Sequence, residues 1–222
     1  MAIMENEKMT INFLGDSITN GAGANEYESC YVELVGKKLN SQVRNYGIGG
    51  TRFARQKELR GDMSDEDFLM RSKSMERDAD FVFVFGGTND YGHGDAPIGM
   101  IDSMDVYTFC GAVNVLISDL ISWYGKEKIC FILPLHRYDE DNVYGEAGIK
   151  KESSISLSGY KAILEEILVK NGINYIHFDD VFPIPLTNQG DEFTVDGLHP
   201  NQKGHNIIAE RICQYILGYC NK

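Results

Sequence analysis

Five short runs rich in apolar residues, at 11–14, 43–46, 81–85, 129–133 and 175–178, punctuate the chain, and each leads into a glycine, proline or aspartate. A strand covered on both faces reads as a continuous apolar run instead of an alternating one, so these runs predict buried parallel strands. The segments between them have a helical period. Tyr31, Leu34, Val35 and Leu39 share one face, and Val106, Phe109, Cys110, Val113, Leu116, Ile117, Leu120 and Ile121 share another. Tyr160, Ile163, Leu164, Ile167 and Leu168 follow the same rule, as do Ile208, Ile212, Tyr215 and Ile216. Asp102 or Ser103 is expected to cap the second helix and Ser156 or Ser158 the third, while Gly125 and Gly172 stand where helices stop. The charged stretch 52–80 reads as a solvated helical crossover that buries Phe68, Leu69 and Met75. Strands alternating with helices predict an α/β fold with right-handed crossovers, whose site is built by the loops leaving the carboxyl ends of the strands.

Composition narrows the classes of partner more than it selects a chemistry. The 222 residues contain no repeat, low-complexity tract or linker, so a single domain over 1–222 is expected. With 21 Lys+Arg against 33 Asp+Glu the net charge is −12, which repels phosphate backbones and anionic lipid headgroups at long range. Nucleic acid is therefore not an expected partner. Residues 1–9 are polar and acidic, and nowhere is there a run of about 18 apolar residues, so neither a signal peptide nor a membrane span is expected. Five cysteines without a C-x-x-C pair argue against a disulfide framework or a zinc knuckle and fit a reducing, cytoplasmic setting, with the thiols as small buried hydrophobes. Nothing in the sequence sets an oligomeric state.

Polar clusters follow the predicted strands. Gly15-Asp16-Ser17 follows the first, Asn45-Tyr46-Gly47-Ile48-Gly49-Gly50 closes the second, and Gly86-Gly87-Thr88-Asn89-Asp90 follows the third; Asp196-Gly197-Leu198-His199-Pro200 leads into the last helix. A serine hydroxyl is a weak nucleophile. It needs an imidazole to take its proton, and that imidazole needs a carboxylate to fix its tautomer. Ser17, His199 and Asp196 supply these types. A carboxylate three residues before a histidine can fold back onto its ring within one turn; it can equally serve as a helix-entry turn residue. The backbone N–H groups of Ser17 and Gly50 and the side-chain amide of Asn89 would then be donors to an oxyanion, and glycine leaves room for a substrate oxygen at the backbone.

Taken together and in this order, the four clusters resemble those of the SGNH (GDSL-type) hydrolases, named for the Ser, Gly, Asn and His of four blocks. The resemblance spans roughly residues 9–217. It implies a flavodoxin-like three-layer α/β/α sandwich with a five-stranded parallel sheet, and a hydrolase of esters or thioesters. It further implies Ser17 as nucleophile and first oxyanion donor, Gly50 as second donor with Gly49 as the fallback, and Asn89 as third. His199 becomes the general base, oriented by Asp196. Because the base must be neutral, activity is expected to rise as pH leaves the acid range. Asp90 reads as a structural acceptor, and His93, His136, His177 and His205 show no ligand spacing, His177 reading as a core histidine. Where many relatives carry an acidic residue after the glycines, this chain has Thr51-Arg52.

No metal or organic cofactor is expected. The Asp-x-His and Gly-His-x-His pairs of two-metal phosphatases are missing, and no G-x-G-x-x-G opens a helix after a strand. Two long polar segments, 134–157 and 180–195, are expected to wall the site. With Tyr91, His93, Arg137, Tyr138 and Tyr144 nearby, they suggest a short acyl group, such as acetyl, on a polar or carbohydrate alcohol. Arg52, Tyr91 and Tyr138 are the candidate substrate contacts, Arg52 facing an anionic group or lying exposed on the surface. A lysophospholipase or acyl thioesterase is the alternative reading, and a binding protein without turnover is the alternative of a different class.

Overall fold

A computed structural model describes residues 8–220; residues 1–7, which make up most of the polar N-terminal segment, lie outside it. Strands β1 (Thr10–Gly15), β2 (Gln42–Gly47), β3 (Phe81–Phe85), β4 (Ile129–Ile132) and β5 (Asn174–Ile176) form one sheet in the order β2-β1-β3-β4-β5. Every pairing is parallel. This is the flavodoxin-like order, and the expected three-layer α/β/α sandwich is what the chain forms.

The helices are α1 (Ser17–Asn20), α2 (Tyr31–Leu39), α3 (Phe68–Ser72), α4 (Thr88–His93), α5 (Phe109–Tyr124), α6 (Leu157–Asn171) and α7 (Gln202–Cys220). Side-chain alternation divides the strands between two cores. Ile11, Phe13, Phe83 and Ile132 pack towards α2 and α7, while Leu14, Val82, Val84 and Phe131 pack towards α3, α5 and α6. Central strands must bury both faces, which is why β1, β3 and β4 are apolar at nearly every position. Within β1 the polar residues are Thr10 and Asn12, and the Asn12 side-chain amide donates to the Glu76 carbonyl at 2.8 Å.

Three expectations are corrected. The helix expected from Val106 begins at Phe109, and Thr108 caps it, its hydroxyl accepting from Gly111 N–H at 3.1 Å; neither Asp102 nor Ser103 does so. Val106 keeps its packing against the core from a turn, with its carbonyl held by Arg55 N–H at 2.9 Å. The stretch 52–80 is mostly irregular, with α3 as its one α-helix, and it buries Arg52, Asp67 and Arg71 beside Phe68, Leu69 and Met75. His177 is exposed, because β5 is a short edge strand that ends one residue before it. The other caps agree: Ser156 caps α6, and Gly172 ends it in the left-handed conformation.

His205 on α7 fastens the two ends of the fold. Its Nδ1 accepts from Tyr31 N–H at 3.2 Å and its Nε2 donates to the Ala22 carbonyl at 3.0 Å, so the neutral Nε2–H tautomer satisfies both. Burial, together with nearby His199, holds its pKa below the usual 6.5. The folded form thus takes up a proton less readily than the unfolded chain. The stabilisation it contributes is complete above about pH 6.5 and is lost as pH falls below that. A His205→Asn variant, with no ring to titrate, is expected to lose less Tm than wild type between pH 7 and pH 5. Equal slopes in the two proteins would refute this role.

Candidate active site

The strand order reverses between β1 and β3, because the chain runs from β1 outward to β2 and then returns to the other side of β1. The carboxyl ends of those two strands therefore diverge around a crevice. Ser17 follows β1 there and Asn89 follows β3. Only glycine fits at position 15, since a Cβ would stand 1.8 Å from the Thr19 hydroxyl oxygen. Asp16 then caps the turn that carries Ser17, its Oδ1 accepting from Ile18 N–H at 3.0 Å.

On the far side of the crevice, Asp196 serves two purposes at once. Its Oδ1 accepts from the Leu198 and His199 N–H groups at 3.0 and 2.7 Å, folding the turn. Its Oδ2 lies 2.7 Å from His199 Nδ1. The turn role and the ring role, alternatives in the sequence, coexist on separate oxygens. Burial alone would raise the Asp196 carboxyl, but the hydrogen bonds from the His199 ring and backbone and from Leu198 outweigh it and hold the group below its ordinary range. A proton on Nδ1, shared with this carboxylate, leaves Nε2 as an acceptor. Ser17 Oγ lies 2.9 Å from Nε2.

The loop after β2 is held in place by buried charges. Asn89 Nδ2 donates to the Thr51 carbonyl at 3.0 Å, and Asp90 accepts from the Phe53 and Ala54 N–H groups, both at 3.0 Å. Asp90 thus joins this loop to α4. Arg71 bonds the Tyr46 carbonyl and, at 2.7 Å, the Thr51 hydroxyl. Nothing in the charged run around Arg71 marked it for the interior; its place three residues after Phe68 on α3 is what turns it inward. Burial pushes its guanidinium down to about 10, and burial pushes the carboxyls of Asp16 and Asp90 up to about 6. Gly49 sits against the serine, where a Cβ would be 3.7 Å from Ser17 Cβ. Gly50 has φ +75°, and a Cβ on it would press on Ser64 at 3.1 Å.

The three candidate substrate contacts separate. Tyr138 is 42% exposed and its N–H donates to the Gly197 carbonyl at 2.7 Å, beside the Asp196–His199 turn. Tyr91, 1% exposed, is buried with its hydroxyl on the Asp139 carbonyl at 2.5 Å, so it supports a wall and does not face substrate. Arg52, 2% exposed, is neither on the surface nor open to a ligand: it donates to the Ser64 carbonyl at 2.9 Å and reaches His93 at 3.2 Å. Four of the five cysteines are buried and all are free thiols. Among the described residues no group of three or more His, Cys, Asp or Glu side chains could hold a metal ion, and no helix is long and apolar enough to cross a membrane.

The sequence profile of the GDSL-like lipase/acylhydrolase family matches residues 13–207. The chain belongs to this family. A GDSL-like hydrolase is thus folded around the crevice just described. Solved structures agree on the fold. A Lactobacillus plantarum protein, 27% identical, superposes with a TM-score of 0.78 over 96% of this chain and 98% of its own. The lipase/acylhydrolase from Enterococcus faecalis, 21% identical, covers 95% of this chain and 96% of its own with a TM-score of 0.64. A carbohydrate acetylesterase from Sinorhizobium meliloti, 12% identical, covers 95% and 99% with a TM-score of 0.70. A search of curated proteins finds none that matches this GDSL-like sequence.

Proposed function

We propose that this GDSL-like hydrolase is a serine esterase in which Ser17, His199 and Asp196 form the catalytic triad. The observation that carries the reading is the continuous line of hydrogen bonds from Ser17 Oγ to His199 Nε2, 2.9 Å, and from His199 Nδ1 to Asp196 Oδ2, 2.7 Å. His199 removes the serine proton as Oγ attacks an acyl carbonyl. The negative oxygen is then held by the N–H groups of Ser17 and Gly50 and by Asn89 Nδ2. One amide hydrogen of Asn89 is engaged by Thr51, which orients the group and leaves the second free for the substrate. The imidazolium delivers its proton to the departing alcohol. Water activated by the same ring releases the acid from the acyl-serine, and none of these steps calls on a metal.

The substrate we favour carries a short acyl group on a polar or carbohydrate alcohol. The segment 134–157 is tied down by polar contacts, Arg137 pairing with Glu146 at 2.9 Å and the His136 ring bonding Glu140 at 2.9 Å. The activity named for the Sinorhizobium relative is of the same kind. A p-nitrophenyl ester series from acetate to palmitate tests the reading. The kcat/KM is expected to peak at two to four carbons, roughly the length a pocket without a tunnel can bury. A preference for chains of about ten carbons or more would favour the lysophospholipase or thioesterase alternative. Inertness towards every ester would overturn the esterase reading itself.

A further inference from the structure

The loop that carries the second oxyanion donor holds two adjacent glycines, and glycine leaves a backbone free to turn. Gly50 stands at φ +75°, and neither the Gly49 nor the Gly50 N–H has an acceptor among the described residues. A donor stabilises a developing oxyanion only as far as it is already aimed, because any reorganisation is subtracted from the gain. Something outside the two glycines must therefore remove their freedom.

Thr51, fully buried, does so with both of its oxygens. Its hydroxyl donates to the Ile48 carbonyl at 2.8 Å, closing a tight loop over Gly49 and Gly50. The same hydroxyl accepts from Arg71 Nη2 at 2.7 Å; a guanidinium cannot accept, so the one hydroxyl proton goes to Ile48. The Thr51 carbonyl accepts from Asn89 Nδ2 at 3.0 Å. One residue thus fixes the glycine loop through its side chain and the third oxyanion donor through its backbone. A carboxylate at this position could accept from Arg71 but would have no proton for the Ile48 carbonyl. Arg71 extends the grip, with Nη1 on the Tyr46 carbonyl and Nε on the Glu66 carbonyl at 3.0 Å. Its fork spans the loop from the end of β2 to the residue after the glycines. All three acceptors are neutral oxygens, while the carboxylates of Asp16, Glu66 and Asp67 act on the charge only from a distance. Burying a charge without an ion-pair partner costs stability, and what the fold keeps for that cost is the shape of the loop.

We propose that Thr51 and Arg71 are positioning residues of the oxyanion hole, the hydroxyl and the fork together aiming the Gly50 N–H and the Asn89 amide at one oxygen. The inference rests on the esterase reading, and the experiment separates the two. Thr51→Val keeps the shape and the carbonyl and removes only the hydroxyl. Its kcat on p-nitrophenyl acetate, measured well below its Tm, is expected to fall about tenfold to a hundredfold with KM within about twofold. Thr51→Ser, which returns the hydroxyl, should recover most of the rate. Arg71→Lys keeps the charge without the planar fork and should show the same kcat loss in smaller measure, which tests the proposal even if Thr51→Val does not fold. Inhibition by phenylboronic acid, whose boron becomes tetrahedral on Ser17 Oγ, should weaken in step with kcat. A Thr51→Val enzyme with wild-type kcat and only a lowered Tm would overturn the proposal and leave the triad standing, as would a Thr51→Ser variant no faster than Thr51→Val. Wild-type protein inert towards the ester would take down the esterase reading and this one with it, a result distinct from an active enzyme indifferent to position 51.

Discussion

Ser17→Ala is expected to lower kcat on p-nitrophenyl acetate by about four to six orders of magnitude, with far-UV circular dichroism and Tm close to wild type. The size follows from the loss of the nucleophile: what remains is the catalysis that the oxyanion donors and binding give to attack by water. The small change in Tm follows from position. Ser17 is partly exposed at the start of α1, and its side chain bonds His199 and no core group. His199→Ala should fall by a similar factor. The double variant should fall little further, because a serine without its base and a base without its serine disable the same step. Wild-type rates in either single variant would remove the mechanism.

Asn89→Ala should lose about two to three orders of magnitude in kcat, equivalent to about 2.7–4 kcal/mol of barrier, with much less change in KM. The amide is 5% exposed and pinned to the Thr51 carbonyl, so on the proposed mechanism it would meet the developing charge with little reorganisation. The same substitution leaves that carbonyl without its donor, which should cost roughly 1–3 kcal/mol of stability. The two effects can be told apart: Tm reports the lost bond to Thr51 and kcat the lost bond to substrate. A kcat within twofold of wild type, beside a lowered Tm, would reduce Asn89 to a structural clip and leave Ser17 and Gly50 as the oxyanion donors.

The elements that carry Ser17, Asn89 and His199 were legible because they obey short-range rules. An apolar run that ends at glycine marks a strand, buried at β1 and β3 and only half-buried at the edge strand β2, and Ser17 and Asn89 lie within a few residues of the two buried runs. Asp196 and His199 are three apart, so their pairing is a matter of one turn. What stayed hidden depends on contacts across the fold. Arg52 and Arg71 look like surface charges in a run of charges, and only the packing of α3 against the loop after β2 shows that they are buried and hold carbonyls. His205 reads as an ordinary helix residue until α2 and the Ala22 carbonyl are brought to its two nitrogens. The early start predicted for α5 failed for the opposite reason: Val106 continues a helical pattern by chance while the turn at 105–108 is held by its own hydrogen bonds, including Thr108 N–H to the Asp105 carbonyl at 2.9 Å.

The Ser17–His199 hydrogen bond joins residues 182 positions apart. During synthesis, a chain that has emerged only as far as α6 can hold most of the sheet and yet has no imidazole for its serine. On the proposed mechanism, hydrolytic competence requires the turn that carries His199, just before α7, to reach Ser17. Turnover regained in a refolding assay would report when that turn meets Ser17, separately from the helical signal in circular dichroism.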